Sequence, residues 1–179
     1  MNALMPSMLG RMDAEILAWD TYVLRSPLST GYHLSGWRRV IEEAFGHQTY
    51  YLVVKGQEGT VRGVAPLVLL ASRGFGRFLV SLPFVNYGGL IADSHEVRSL
   101  LEVCIIEQAR VLNADHVELR HEEVTNTSWV STERKVSMRL SLPNSYEQLV
   151  KDFPSKLRSQ VRRAQKEGML ARVGGSECL

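Results

Sequence analysis

The chain is poor in cysteine and has no long apolar run. It contains 179 residues but only two cysteines, Cys104 and Cys178. So few thiols cannot form the disulfide framework of a small secreted domain, and we expect a reducing compartment. No stretch reaches the ~18 consecutive apolar residues of a membrane span, and the first residues lack the pattern of a signal peptide. The sequence therefore predicts a cytoplasmic protein without a transmembrane segment.

Several chemical signatures are also missing. The five histidines show no metal-ligand spacing, so we expect no metal. There is no Walker loop, no dinucleotide fingerprint and no Gly-x-Ser-x-Gly elbow. Residues 73–77 (RGFGR) superficially resemble the phosphate loop of acetyl-coenzyme A transferases, but that loop must open a helix, and here a strand is expected. These absences argue against an ordinary coenzyme A acetyltransferase and leave the catalytic residues unknown.

The composition is that of one globular unit with unevenly placed charge. Hydrophobic residues make up 45% and charged residues 22%, close to the average for folded domains. The formal net charge is only +2. Residues 151–172, however, hold seven basic and two acidic residues, which leaves the remainder of the chain slightly acidic. This segment is the natural place to look for an anionic partner.

Hydrophobic periodicity predicts a mixed α/β fold. Helices are expected over residues 13–19, 35–45, 93–112, 146–153 and 155–167. Strands are expected over residues 50–55, 61–72, 78–82, 90–92, 116–120 and 135–142. The first four strands should form an antiparallel meander, and residues 122–133 a loop. Gly46 and Asn113 are expected to end helices, and Asp93 with Glu96 to form a capping box. The order predicts a mostly antiparallel mixed sheet flanked by helices.

The helix predicted over residues 155–167 provides the first candidate site. Arg158, Arg162 and Lys166 follow one another at four-residue spacing, so like charges share a face and repel by a few tenths of a kcal/mol per pair. A bound anion would relieve that repulsion, and the guanidinium group suits phosphate or carboxylate. We therefore take Arg158, Arg162 and Arg163 as candidate substrate-binding residues. The alternative is a solvated basic face.

A second candidate is the segment 81–89 (SLPFVNYGG). Gly88 and Gly89 allow a backbone to approach a ligand closely, while Asn86 and Tyr87 add an amide and a phenol. The alternative is a turn packed by its own aromatic side chains.

A third candidate is the segment 30–37 (TGYHLSGW), where a loop leads into a helix. His33 and Trp37 are its candidate substrate-binding residues, because an imidazole and an indole can both contact a ligand. The alternative for His33 is a structural histidine near a helix cap.

Three segments in order resemble the FemAB-type transferases, nearest to the branch that accompanies exosortase and exopolysaccharide loci in Gram-negative bacteria. They are residues 22–47 (YVLRSPLSTGYHLSGWRRVIEEAFGH), 81–89 and 155–168 (SKLRSQVRRAQKEG). The resemblance spans most of the chain. It implies a GNAT-like fold in which residues 1–179 form the N-terminal subdomain. A second GNAT-like subdomain would then be absent, or be supplied by a partner such as another copy.

The function that the resemblance implies is N-acyl transfer to an amine of a cell-envelope or polysaccharide precursor. The acyl donor would be aminoacyl-tRNA or acyl-coenzyme A, with no covalently bound cofactor. This half would shape the acceptor cleft, and its basic residues would grip the phosphates of a small-molecule or lipid-linked acceptor. Catalysis would then depend on positioning and electrostatic stabilisation. A non-catalytic module that holds RNA or an anionic lipid headgroup through the basic helix remains the alternative.

Overall fold

The computed structural model describes residues 4–122, 129–132 and 138–175. The chain divides into two compact units, Met1–Thr132 and Glu133–Leu179. The sequence-based expectation of a single subdomain over residues 1–179 stays a prediction.

Within residues 4–122 and 129–132, the first unit contains six strands and three helices. The strands are β1 (Met5–Met8), β2 (Gln48–Lys55), β3 (Val61–Ser72), β4 (Gly76–Ser81), β5 (Ile91–Ala92) and β6 (His116–Glu118). The helices are α1 (Asp13–Arg25), α2 (Gly36–Phe45) and α3 (His95–Val111), with single 3₁₀ turns at Gly31–His33 and Gln57–Gly59.

The six strands form one mixed sheet. Its order is β1-β2-β3-β4-β6, with the first three pairs antiparallel and β4–β6 parallel. The expected mixed, mostly antiparallel sheet flanked by helices is thus confirmed. The meander is corrected in one respect, because β5 pairs with β3 and not with β4. Strand β1 was not predicted.

Strands β4 and β5 lie along the same edge of β3 and are separated by an excursion of the chain. Ser81 at the end of β4 pairs with Leu67, and Ile91 at the start of β5 pairs with Val64. Only two positions of β3 lie between those partners, yet the chain inserts residues 82–90 there. Pro66 occupies one of the two positions, and because proline has no N–H it suits a stretch of strand with an unpaired edge. The excursion carries the second candidate segment, and we call it the 82–90 excursion.

Helices cover both faces of the sheet. Trp19 and Val23 of α1 pack with Ile41 of α2 in one core cluster. Leu101 and Ile105 of α3 belong to the cluster on the other face. Helix α1 runs further than expected, to Arg25, because the same apolar face continues from Trp19 to Val23.

The predicted C-terminal residues of two helices are confirmed, whereas the predicted cap at the start of α3 is wrong. Gly46 (φ 68°) and Asn113 (φ 49°) take the left-handed conformation after α2 and α3, as expected. The capping box expected at Asp93 is wrong, because Ser94 accepts the hydrogen bond of the Val97 N–H at 3.3 Å. The Asp93 carboxylate instead accepts a hydrogen bond from the hydroxyl of Tyr22 at 2.9 Å and pairs with Arg62 at 2.9 Å. Asp93 therefore forms tertiary contacts, although the local sequence pattern predicted that it would cap α3.

Residues 138–175 of the second unit form two helices, α4 (Tyr146–Asp152) and α5 (Ser155–Lys166). The hydroxyl of Ser145 caps α4 by accepting from the Gln148 N–H. Of the strand expected over residues 135–142, residues 138–142 have no regular structure, and the rest lies outside the described residues. Most of the loop expected over residues 122–133 also lies outside them. None of the helices in the described ranges is both long and apolar enough to cross a membrane.

Candidate functional site

The 82–90 excursion opens with a strained residue. Leu82 has φ 43° and is 1% exposed. A left-handed conformation costs a leucine roughly 1–2 kcal/mol. Packing holds it there, because a Cβ on Gly88 would lie 2.8 Å from the Leu82 Cβ. Such strain persists where the surroundings impose it, and it is frequent at binding sites.

The excursion is tied to the chain just beyond β6. The N–H groups of Gly88 and Gly89 donate to the Arg120 carbonyl at 3.1 and 2.9 Å. The Arg120 guanidinium donates in turn to the carbonyls of Pro83 and Val85. One residue thus holds both limbs of the excursion, which gives it a defined shape before any ligand binds.

His33 holds the same excursion from the opposite side. Its Nε2 lies 3.0 Å from the carbonyl of Gly89, and its Nδ1 accepts the Thr30 N–H at 3.1 Å. Nε2 must therefore carry the proton. Burial lowers the pKa of His33, and the hydrogen bonds to Gly89 and Thr30 oppose that shift, so the ring is neutral at pH 7. The structure brings together two candidates that the sequence kept apart, and it gives His33 a positioning role.

Two residues of this site were missed by sequence reasoning, Arg120 and His121. A Cβ on Gly89 would lie 2.4 Å from Nδ1 of His121, so this ring packs directly on the glycine. Burial lowers the pKa of His121 to about 4, with further contributions from Arg98 and His33. Neither residue carries a signal in the sequence, because their place beside the excursion depends on the parallel pairing of β6 with β4, which is a tertiary feature.

The exposed part of the excursion consists of side chains and not of glycine backbone. Asn86 is exposed and Tyr87 is half-buried, whereas Gly88 and Gly89 are buried. Phe84 stacks on Phe45 of α2, with ring centroids 4.1 Å apart. A ligand at this surface would therefore meet the side chains of Phe84, Asn86 and Tyr87 before the glycine backbone. Ligand contact by either glycine or by His33 stays a prediction.

Trp37 is fixed by its neighbours near the start of α2. Its Nε1 donates to the Gly31 carbonyl at 3.1 Å, and its ring lies edge-on to Tyr32 with centroids 5.7 Å apart. The side chain is partly exposed, so it retains a surface that a ligand could contact.

The second unit carries the basic candidates, and two of them are already paired. The Arg158 guanidinium donates to the carbonyls of Lys151 and Phe153 at 3.0 and 2.8 Å, so it caps the end of α4. Arg163 pairs with Glu167 at 2.7 Å on the surface. Both side chains therefore have structural partners, and their binding of substrate stays a prediction.

Arg162 and Lys166 differ from these two. Across residues 4–122, 129–132 and 138–175, neither side chain forms an ion pair. They lie on one side of α5 together with Ser155, Ser159, Arg158 and Arg163. The site thus combines cations with hydroxyl groups on one face of α5, a composition that suits a phosphate group.

No metal centre is formed by the described part of the chain, where no three His, Cys, Asp or Glu side chains gather as ligands.

Comparison with known proteins gives structural likeness only. No family model matches the chain, and no curated protein matches it significantly. It is similar to a GNAT family acetyltransferase from Staphylococcus aureus (12% identity, TM-score 0.47, 78% of this chain and 100% of that one). It is also similar to an acetyltransferase from Trypanosoma brucei (17% identity, TM-score 0.48, 78% of this chain and 100% of that one). A third similar structure is an aminoglycoside antibiotic 6'-N-acetyltransferase from Acinetobacter baumannii (13% identity, TM-score 0.43, 80% of this chain and 100% of that one). Likeness of this degree carries no conclusion about substrate or activity.

Proposed function

We propose that this chain is the acceptor-binding half of an N-acyltransferase. In the reaction, an amine of the acceptor attacks the acyl carbonyl of aminoacyl-tRNA or acyl-coenzyme A. An amide C–N bond forms, the ester or thioester bond breaks, and the tRNA hydroxyl or the coenzyme A thiol leaves with the proton that the amine loses. This half binds the acceptor and fixes its position, and so contributes through orientation. The resemblance to FemAB-type transferases supports the proposal, as does the mixed sheet with its pre-shaped 82–90 excursion.

The observation that carries the proposal is the face of α5 that bears Arg162 and Lys166. These cations are one helical turn apart and have no acidic partner among the described residues. Like charges at this spacing destabilise a helix, so a phosphate between them would stabilise it. The acceptor is therefore expected to carry phosphate, as a nucleotide-linked or lipid-linked sugar does.

Calorimetric titration with inorganic pyrophosphate tests the phosphate site. Hydrogen bonds to charged groups contribute ~1.5–3 kcal/mol each, so Arg162→Gln with Lys166→Gln should weaken binding at least a hundredfold. The matched control is Arg73→Gln with Arg110→Gln, which removes the same charge from exposed positions of the first unit. Equal affinities for the two double variants would show that the face of α5 is only solvated.

Acyl transfer needs a separate assay. A labelled acyl group is offered as acyl-coenzyme A and, in parallel, as aminoacyl-tRNA, with an amine-bearing nucleotide sugar as acceptor. Label should enter the acceptor from one of the two donors when this chain is combined with the other half of the enzyme. The variant Arg162→Gln with Lys166→Gln should lower that incorporation. Incorporation that the variant leaves unchanged would remove α5 from the acceptor site.

A further inference from the structure

The second unit exposes apolar side chains at the end of its basic helix. The Met169 N–H donates to the Ala164 carbonyl at 3.2 Å, which places Met169 beside the last turn of α5. Met169 is 68% exposed and Leu170 is 92% exposed. A site for a small phosphate compound does not require two large apolar side chains in water next to it, so they point to an additional binding partner.

The charge around these side chains is strongly positive. Lys166 lies three residues before Met169, and Arg172 two residues after Leu170. The one acid next to them in the sequence, Glu167, pairs with Arg163. The surface around the end of α5 therefore offers cations and apolar groups together.

We propose that this surface docks on an anionic lipid bilayer. Met169 and Leu170 enter the headgroup region, while Arg162 and Lys166 meet lipid phosphates. The inference rests on the proposed function, because the same two cations serve both. Cations near an anionic leaflet and apolar side chains reinforce one another in peripheral binding. An acceptor with a lipid anchor would then be presented to the enzyme at the membrane surface.

The same residues fit RNA less well. Binding of single strands uses aromatic rings on which bases stack, in addition to cations. Among the described residues of the second unit, the aromatic side chains are Tyr146 and Phe153, and Phe153 is half-buried. The exposed side chains beside α5 are aliphatic, which favours lipid.

Vesicle sedimentation with the full chain tests the inference. Vesicles of phosphatidylcholine are compared with vesicles that contain equal parts phosphatidylcholine and phosphatidylglycerol. The chain should bind the anionic vesicles and bind the neutral ones far more weakly. Met169→Ser with Leu170→Ser should weaken vesicle binding about tenfold or more, through lost apolar burial, and leave pyrophosphate affinity unchanged. Phe75→Ser is the control, because Phe75 is an exposed apolar residue (84%) in the first unit.

The charge variant should behave differently from the apolar one. Arg162→Gln with Lys166→Gln should weaken binding to anionic vesicles about thirtyfold and also weaken pyrophosphate binding. If pyrophosphate binds and neither vesicle does, the membrane inference fails while the proposed function stands. If neither ligand binds, both fail.

Three further outcomes would overturn the inference. Normal vesicle binding by Met169→Ser with Leu170→Ser would show that the surface binds anions without apolar insertion into a bilayer. Tight binding of single-stranded polyuridylate in place of vesicles would indicate RNA. A dimer that depends on Met169 and Leu170, seen by analytical ultracentrifugation without vesicle binding, would assign the apolar residues to a second copy of the chain.

Discussion

Replacement of Gly89 by alanine should destabilise the first unit through one contact. An added Cβ would lie 2.4 and 2.5 Å from ring atoms of His121, at least about 1 Å inside the ordinary contact distance of ~3.5–4.0 Å. The ring is largely buried, so it has little room to move. Overpacking of this kind costs ~1–3 kcal/mol. Alanine also restricts the unfolded chain, which returns ~0.4–1 kcal/mol. We expect a net loss of about 1–2 kcal/mol in the free energy of unfolding.

Urea unfolding followed by tryptophan fluorescence and circular dichroism measures this loss. Gly36→Ala is the matched control, because nothing lies within 4 Å of the new Cβ and its backbone is helical. That control should be as stable as the wild type or more stable by up to ~1 kcal/mol. If the cost of Gly89→Ala comes from the ring, it should largely disappear when His121→Ala is already present. Equal stability of Gly89→Ala and wild type, or an unchanged cost without the ring, would refute the packing described at this site.

Three further predictions concern the first unit. The Tyr51 hydroxyl is buried without a hydrogen-bond partner in the described structure, so Tyr51→Phe should raise the free energy of unfolding by about 1 kcal/mol. A loss in urea unfolding would show that the hydroxyl is satisfied. Ser94→Ala should cost about 1 kcal/mol in the same assay because it removes the cap of α3, and a cost near zero would mean that the cap contributes nothing. Because burial lowers the pKa of His121 to about 4, the unfolded chain binds more protons between about pH 4 and pH 6.5, and stability falls as pH falls through that window. Between about pH 7.5 and 5.5 the wild type should lose about 1 kcal/mol more than His121→Gln, and parallel pH curves would contradict this assignment.

The fold class could be predicted because its signals are local. Gly46 and Asn113 end helices by a conformation that those residue types favour, and the apolar face of α3 follows helical spacing. Strand β1 was missed because its four residues are all exposed and alternate in no recognisable pattern. Its existence depends on pairing with β2, which is far away in the sequence.

The candidate site could be predicted only in part, because its residues interact over long sequence distances. His33 and Gly89 are 56 positions apart, and their hydrogen bond has no signature in either segment. Arg120 looks like an ordinary charged residue at the end of a strand, yet it ties both limbs of the 82–90 excursion. Spacing within α5 did identify the basic face. It could not show that Arg158 is engaged by the end of α4, which leaves Arg162 as the more available arginine.

Side-chain NMR of the arginine Nε–H groups, during titration of the labelled full chain with pyrophosphate, tests directly whether Arg162 binds the acceptor phosphate. We expect a saturable shift of the Arg162 signal. Smaller shifts are expected for Arg158 and Arg163, because the carbonyl of Phe153 and the carboxylate of Glu167 hold them. The signals of Arg73 and Arg110 in the first unit should stay in place. An unmoved Arg162 signal, or equal and non-saturating shifts of all arginines, would contradict an acceptor-phosphate site on α5.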